Sequence, residues 1–372
     1  PFVNAGPICI SKDGSTVFAV GEDDGSLGVW AWRWDGSNWP NLQIIAISTS
    51  GDYTSSADMP TMVLTCNSDG SRVVLGIPTA NSNDGVAYVF DETTPDTWTE
   101  YQRITPPTSS LGARFAFAID CDDTCDRFVA GEPDYSSGGA YGRAHVYKDG
   151  GSSFSVEATL TDSYGSFAGN LGSATCMASD ASMLVLGNRD AFTAGFWGIG
   201  TFESYTRSGT TWSFEARAHP SDDEHTFTNA GWSMCMDAAG TKLVTSDYAG
   251  STADSVYYTR SGGTWTYQSK LTGLGQTGSV NGQQMAMADG ANFLVLGDWG
   301  YTGGNYQGRI LRWSGPSWSF DSNLDSPSPT NDQRHGYGVS ISGNGYMVAY
   351  TQPATSLVPT ATDGAHVYVK VY

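Results

Sequence analysis

Residues 16–21 read TVFAVG, a β-branched and aromatic run ending in glycine that is typical of a buried strand. Close copies of this stretch recur along the chain at intervals of about 55 residues. They are residues 73–76 (VVLG), 128–131 (FVAG), 184–187 (LVLG) and 294–297 (LVLG), with weaker copies at 243–246 (LVTS) and 347–350 (MVAY). A regular period of this length indicates a repeat architecture in which each repeat is one supersecondary unit.

The residues on either side of this stretch complete a unit of four strands. A preceding strand ends at a tight turn such as Asp13-Gly14 or Asp69-Gly70, which tolerates the positive φ angles of hairpins. A third run carries aromatic residues, as in 144–147 (AHVY). A fourth run is led by an aromatic residue in most repeats: Trp39, Trp98, Phe154, Trp212, Trp265 and Trp318. Four strands per repeat are the pattern of a β-propeller blade.

The sequence therefore predicts an all-β chain that forms one seven-bladed β-propeller of four-stranded antiparallel blades over residues 1–372. The blades are expected at residues 7–52, 61–107, 113–163, 172–222, 231–275, 282–328 and 336–372. The last repeat stops after its third strand, so residues 1–5, around Phe2 and Val3, are expected to pair beside it and close the ring. Closure would leave no sheet edge exposed, and an open solenoid is the alternative.

Charge and composition exclude some classes of function. The chain has 38 acidic and 18 basic residues and a formal charge of −20, which excludes nucleic-acid binding through phosphates. No apolar run approaches the ~18 residues of a membrane helix, so direct membrane insertion is not expected. Only 15% of residues are charged, and a surface of Ser, Thr, Asn and Gly predicts an extracellular or cell-surface protein. A start at Pro1 fits a mature chain after signal removal or a fragment.

The six cysteines do not have the spacing of a zinc site. Cys121 and Cys125 bracket a tight turn, which predicts a hairpin disulfide and an oxidising compartment; two free thiols are the alternative. The remaining four are expected at equivalent positions of predicted inner strands, as buried free thiols: Cys9, Cys66, Cys176 and Cys235.

These repeats resemble FG-GAP repeats, the propeller blades of integrin α chains. The likeness rests on the strand before an Asp-Gly turn, the LVLG-type strand, and residues 256–265 (VYYTRSGGTW), which recur as 204–212 (SYTRSGTTW). It covers nearly the whole chain and implies the fold, with adhesion or assembly only by analogy. Several FG-GAP blades carry a D-x-D-x-D-G calcium loop. This sequence has none, so neither a metal nor another cofactor is expected.

In a propeller, the loops after the second strands and the loops between blades share one face, and loops on a rigid scaffold commonly carry function. Here they are rich in Trp and Tyr beside carboxylates, which suits stacking on sugars or a protein interface. The alternative is that these aromatic residues fold down and plug the blade tops. The predicted ligand-facing residues are Asp134, Arg189, Trp197, Asp247, Asp298, Trp299, Tyr301 and His335.

The sequence lacks a recognisable catalytic motif, and its five histidines include a pair in equivalent third strands, His145 and His366, that favours a structural role. We therefore expect a non-catalytic extracellular or surface module for binding or scaffolding. Its partners would be a protein or glycan ligand, or further subunits of a homo- or hetero-assembly. The alternatives are a propeller glycoside hydrolase or lyase, with a deep pocket of carboxylates and an arginine, and a calcium-dependent adhesin.

Overall fold

The computed structural model describes residues 5–23, 26–53, 59, 61–137, 140–163, 169–191, 200–219, 230–246, 255–271, 284–298, 309–314, 318–324, 336–352 and 366–372. Apart from short helical turns such as Ser50–Asp52 and Ala80–Asn83, the elements in these ranges are β-strands. The chain is therefore all-β, as its sequence predicts.

The strands follow one another in consecutive groups, which we number as units 1 to 7. Unit 1 contains β1 (Ala5–Ile10), β2 (Thr16–Asp23), β3 (Ser26–Arg33) and β4 (Asn41–Ala46). Unit 2 contains β5 (Val63–Cys66), β6 (Arg72–Ile77), β7 (Val86–Thr94) and β8 (Thr97–Ile104). Unit 3 contains β9 (Ile119–Cys121), β10 (Arg127–Ser137), β11 (Ala140–Asp149) and β12 (Phe154–Thr161). Unit 4 contains β13 (Leu171–Met177), β14 (Met183–Asn188), β15 (Thr201–Ser208) and β16 (Thr211–Ala218).

The last three units repeat this order. Unit 5 contains β17 (Ser233–Met236), β18 (Lys242–Ser246), β19 (Ser255–Ser261) and β20 (Thr264–Leu271). Unit 6 contains β21 (Gln284–Met287), β22 (Phe293–Asp298), β23 (Arg309–Ser314) and β24 (Ser319–Leu324). Unit 7 contains β25 (Val339–Ile341), β26 (Met347–Gln352) and β27 (His366–Val371).

Within each unit, successive strands pair antiparallel, so each unit is a meander. Neighbouring units touch through parallel bridges at equivalent places, as between Gly142 and Leu171 and between Gly200 and Ala230. Ala5 lies in β1 and pairs with Gly21 of unit 1. Residues 1–4, including Phe2 and Val3, lie outside the described residues, as does their predicted pairing beside β27.

A circuit of backbone hydrogen bonds links the turns between the first and second strands. In each bond the amide of one turn donates to a carbonyl of the next. The donor–acceptor pairs are Asp13 to Ser68, Ser68 to Asp123, Asp123 to Ser179, Ser179 to Ala238, Ala238 to Asp289, Asp289 to Gly343 and Gly343 to Lys12, at 2.8–3.1 Å. The last bond returns to unit 1. Thr351 of unit 7 also donates to the Gly6 carbonyl at 2.9 Å, so units 7 and 1 lie side by side.

The aromatic residues that lead the fourth strands pack against the preceding unit. Trp98 meets Phe18 edge-on with ring centroids 5.3 Å apart, and Trp265 meets Phe202 at 5.6 Å. The indole of Trp98 also donates to the Gly70 carbonyl at 3.0 Å. Edge-to-face pairs of this kind add stability beyond the apolar area they bury. The repeated aromatic position is therefore a joint between units.

Candidate binding site at the channel mouth

The first strands of the units surround a central cavity of about 570 Å³. This volume lies in the range of small-molecule sites. The turns that follow the first strands meet in the hydrogen-bond circuit, so they mark one end of the cavity. The segments that precede the first strands lie at the other end, which we call the mouth.

Two arginines and two aromatic rings line the mouth. The guanidinium carbon of Arg114 lies 4.7 Å from the ring centroid of Phe117, and that of Arg189 lies 5.5 Å from the same ring. Arg189 also lies 4.7 Å from the ring of Trp232. All three distances are within the reach of cation–π attraction. Units 3 and 4 and the segment entering unit 5 thus contribute to one array.

Carboxylates hold this array in place. Asp134, in β10, pairs with the Arg114 guanidinium and accepts a hydrogen bond of 3.0 Å from the Asn170 side chain. Arg189 lies 3.6 Å from Asp190. Burial lowers the pKa of Arg189, and the charge of Arg114 lowers it further, against the opposing effect of Asp190 and Asp134. We call Arg114, Phe117, Asp134, Arg189 and Trp232 the mouth cluster.

The backbone at the mouth is strained as well as packed. Arg114 has φ of +56° and Ala116 has φ of +61°, in the left-handed region that side chains other than glycine rarely adopt. The Arg114 amide donates to the Asn83 carbonyl at 2.9 Å, and Asn83 itself has φ of +64°. Strain of this kind persists only where surrounding contacts fix it, and it concentrates at functional sites.

The structure brings two of the predicted ligand-facing residues, Asp134 and Arg189, into the mouth cluster. The backbone of Asp298 pairs with Arg309 between β22 and β23. The other predicted residues lie outside the described part of the chain: Trp197, Asp247, Trp299, Tyr301 and His335.

Sequence reasoning missed Arg114, Phe117 and Trp232. All three stand shortly before a first strand, in the connections between units that were expected to share the functional face. Their position before a first strand could have identified them from the sequence. The contacts of Phe117 and Trp232 with Arg189 could not be predicted, because they join residues more than 40 positions apart in the chain.

The opposite end of the cavity is crossed by Lys12. Its Nζ lies 2.5 Å from Asp123 Oδ1 and 3.2 Å from Asp289 Oδ1, and it donates to Ser179 Oγ at 2.5 Å. Burial lowers the pKa of Lys12, but the hydrogen bonds and charges of Asp123 and Asp289 outweigh it, so the pKa is raised. One ammonium group thus ties unit 1 to units 3, 4 and 6.

Replacing Lys12 by methionine is expected to lower the free energy of unfolding by about 2 kcal/mol, between the values typical of exposed and buried ion pairs. The loss arises because Asp123 and Asp289 would face each other without a shared cation. Urea unfolding at pH 7 would measure it. Lys370→Met, at an exposed position on β27, is the matched control and should change little. Equal effects in the two variants would contradict the bridging role.

The cysteine predictions need two corrections. Cys121 and Cys125 are free thiols in the structure, so the predicted hairpin disulfide is absent. Both pack in the apolar cluster between units 2 and 3, and burial raises the pKa of Cys125. The other four cysteines are not all at one position. Counted from the backbone hydrogen bond that closes each first hairpin, Cys9, Cys176 and Cys235 are equivalent, whereas Cys66 lies one residue closer to its turn.

Carboxylates in the cavity wall accept hydrogen bonds from backbone amides. Asp120 accepts amide hydrogen bonds from Met177 at 2.7 Å and Cys121 at 2.9 Å, and burial raises its pKa to about 6 despite these bonds. Asp237 accepts hydrogen bonds from the amides of its own turn.

In the described ranges, no group of three or more His, Cys, Asp or Glu is arranged to hold a metal ion. No described helix is long and apolar enough to cross a membrane.

No family model matches the chain, and no curated protein matches it in sequence. Solved structures match it in fold. The β-propeller domain of Myceliophteria thermophila Cps50 (Swd1) matches with a TM-score of 0.63 and 7% identity, covering 100% of this chain and 98% of that one. U3-55K matches with a TM-score of 0.59 and 9% identity, covering 100% and 96%. A putative 6-phosphogluconolactonase from Bacteroides fragilis matches at 0.56 and 7%, covering 93% and 87%.

Identities this low show the fold alone, and the fold is that of a β-propeller. The four-stranded antiparallel sheets agree with that class.

Proposed function

We propose that the chain is a closed seven-bladed propeller built from FG-GAP-like repeats. The circuit of turn hydrogen bonds supports closure, because it passes through each unit once and returns from Gly343 to Lys12. Residues 1–4 would complete the last blade by pairing beside β27, which is otherwise an edge strand.

On this scaffold we propose a non-catalytic binding or scaffolding module that acts through the mouth cluster in an extracellular or surface setting. The observation that carries the proposal is the packing of two guanidinium groups and two aromatic rings around the cavity entrance. Arginine and aromatic residues dominate the energetics of protein interfaces. The same planar groups stack on sugar rings. The proposed ligand is a protein surface, such as that of another subunit, or a glycan.

Arg189→Ala is expected to weaken ligand binding at least roughly tenfold, as loss of a central arginine does at interfaces. A glycan array and affinity capture from the native source would identify the ligand, and calorimetry with the purified ligand would measure the change. Arg260→Ala is the matched control, since Arg260 pairs with Glu215 on the outer strands β19 and β16, away from the mouth.

Unchanged affinity in Arg189→Ala, or equal losses in both variants, would contradict a role of the mouth cluster. Far-UV circular dichroism of each variant would separate lost contacts from lost fold.

A propeller glycoside hydrolase or lyase is the second candidate, and one observation favours it. Asp120 lines the cavity with a pKa raised by burial to about 6, as suits a general acid. Against it, Asp120 already accepts two amide hydrogen bonds, and the arginines stand at the mouth, Arg114 before β9 and Arg189 directly after β14. Turnover of a polysaccharide by the purified chain, abolished by Asp120→Asn, would establish this activity in place of simple binding.

A further inference from the structure

Unit 7 has three strands in the described part of the chain, whereas each of the other six units has four. β27 is therefore an edge strand. The Tyr372 amide donates to the Tyr346 carbonyl at 2.9 Å, on the side of β26. The hydrogen-bonding groups of successive residues in a strand point to opposite sides, so the amides of Val367, Val369 and Val371 point away from β26. An edge of this kind is a template for pairing with another strand.

In units 1 and 2, the fourth strand also closes the joint to the next unit. The Gln43 side chain of β4 exchanges two hydrogen bonds with the backbone of Trp98, at 2.6 and 2.9 Å. The Gln102 side chain of β8 does the same with Phe154, at 2.6 and 3.3 Å. Trp98 and Phe154 are the aromatic residues that lead the following fourth strands, and both are buried. A glutamine on one fourth strand thus holds the leading aromatic residue of the next unit.

The joint between units 7 and 1 is more open. Its leading aromatic residue, Trp39, packs in one apolar cluster with Val367 and Val369 but is only half-buried, whereas the leading residues of units 2 to 6 are all buried. The ring of Trp34 lies 5.5 Å from that of Trp39, and Trp34 is 36% exposed. Val371, on the same face of β27 as Val369, is 55% exposed. We call Trp34, Trp39 and Val371 the joint patch.

Residues 1–4 can complete only the beginning of this edge. Ala5 pairs with Gly21 at the mouth end of β1, and β27 begins at the same end, where His366 lies opposite Gln352. Four residues extend at most ~14 Å, and passing from β26 to the far side of β27 takes roughly 10 Å, two strand spacings. β27 continues for roughly 17 Å beyond its first residue, toward the joint patch. The joint patch therefore lies beyond the reach of residues 1–4.

We propose that β27 and the joint patch bind an extended segment of a partner protein, which adds an antiparallel fourth strand to unit 7. Strand addition of this kind draws its affinity from main-chain hydrogen bonds and its specificity from alternate side chains. The main-chain groups on this side are those of Val367, Val369 and Val371.

The fourth strands of the chain itself define the side chains that the partner segment needs. An aromatic residue leads the segment and a glutamine follows four positions later, as in residues 39–43 and 98–102. The glutamine of the partner would bond Trp39 as Gln43 bonds Trp98. Its leading aromatic residue would pack against unit 6, as Trp98 packs against Phe18 of unit 1.

The partner is a different protein and not a second copy of this chain. The described fourth strands are all paired within their own units, so a copy has none of them to donate. A formal charge of −20 also opposes the association of like copies and favours a partner of positive charge. The proposal rests on the propeller fold and is independent of the ligand that the mouth cluster binds.

A synthetic peptide with the sequence of residues 97–104 (TWTEYQRI) is the probe, because it carries the aromatic residue and the glutamine at the required spacing. Fluorescence anisotropy of the labelled peptide, titrated with the full chain, should show saturable binding of one peptide per chain. Val369→Pro should weaken this binding at least roughly tenfold, since the ring removes an amide that faces the added strand while the pairing with β26 remains. Val369→Ala keeps the amide and is the matched control, with an affinity close to that of wild type.

Further measurements do not depend on the folding of Val369→Pro. A peptide with alanine in place of its tryptophan and glutamine should bind wild type at least roughly tenfold more weakly. The original peptide should slow amide hydrogen exchange in residues 366–372 of wild type and of Val369→Ala. Arg189→Ala should bind the peptide as wild type does, which separates this edge from the mouth cluster.

The proposal is wrong if wild type does not bind the peptide, if Val369→Pro binds it as tightly as Val369→Ala does, or if the slowed exchange lies outside residues 366–372. It is also wrong if sedimentation shows a dimer of the chain that Val369→Pro abolishes, because the occupant of the edge would then be a second copy. Circular dichroism would confirm that the variants fold.

Discussion

Replacing Gly131 by alanine is expected to lower the free energy of unfolding by about 3 kcal/mol or more, because the added methyl group has no space. A Cβ built at Gly131 would stand 2.0 Å from the carbonyl oxygen of Gly172, in the next unit. The obstacle is backbone on both sides, so no side chain can rotate away. Relief requires units 3 and 4 to separate, which would open the packing between them.

The same close approach recurs at the glycine that ends the repeat motif. A Cβ at Gly187 would lie 2.3 Å from the Gly231 carbonyl oxygen, and one at Gly297 would lie 2.1 Å from that of Gly336. The glycine therefore marks where the backbone of one unit rests on the next. Gly51→Ala is the control, since Gly51 is exposed and has no atom within 4 Å of the added methyl group. Urea unfolding that showed equal stability in the two variants would contradict this account.

The repeat was predictable because its signals are local. The alternation within residues 16–21 and 128–131, and the turns beside them, depend on neighbouring residues only, and the structure confirms the strands they predict. The aromatic residue that begins the fourth strand was predictable for the same reason. Its contact with the preceding unit is seen only in the structure. The all-β class and its four-stranded antiparallel sheets are therefore contained in short stretches of sequence.

The register of the first strands was not predictable. β13 carries an irregularity between Leu171 and Thr175, and β1 carries one between Ala5 and Ile8. A shift of one residue moves a side chain to the other face of a strand. Cys66 lies one residue closer to its turn than Cys9 and Cys176 do, and so occupies a different level of the wall, although the repeat pattern in the sequence made the three equivalent.

The mouth cluster was found only in part. Asp134 and Arg189 stood out because each is a charged residue that follows the buried part of a second strand. Arg114 and Phe117 lie in the connection from β8 to β9, where nothing in the local sequence separates a functional arginine from a solvated one. Their role follows from contacts across units, and a sequence without coordinates does not give such contacts.

Glu203→Gln is expected to make the protein more stable than wild type at pH 8, by up to roughly 3 kcal/mol, and to change little near pH 4.5. Glu203 is fully buried in β15, where it accepts a hydrogen bond of 2.6 Å from the Tyr205 hydroxyl. Burial raises its pKa from 4.5 to about 7, assisted by the charge of Asp162 and opposed by the Tyr205 hydrogen bond. The folded protein therefore keeps this proton at a pH where the unfolded chain has released it.

The direction of the expected stability change follows from this difference in proton binding between the folded and unfolded chain. A carboxyl group whose pKa is raised by folding contributes stability that is complete below about pH 4.5 and is lost as the pH rises through about 7. Glutamine resembles the protonated acid and does not titrate, so the loss should disappear in the variant. Urea unfolding at pH 5, 6, 7 and 8 would measure it. Asp120, with its pKa of about 6, is present in both proteins and cancels in the comparison.

Glu157→Gln supplies a control of opposite sign. Burial alone would raise the pKa of Glu157, but its bonds to Arg127 at 3.0 Å and to the Trp212 indole at 2.9 Å outweigh burial and lower it. That variant should therefore lose stability at neutral pH and regain wild-type behaviour in acid. A difference between Glu203→Gln and wild type that stays constant from pH 5 to 8 would show that Glu203 does not hold its proton in the folded state. A buried carboxylate beside Asp162 would then need a cation to offset its charge, and Arg217, 3.8 Å from Asp162, is the group placed to provide it.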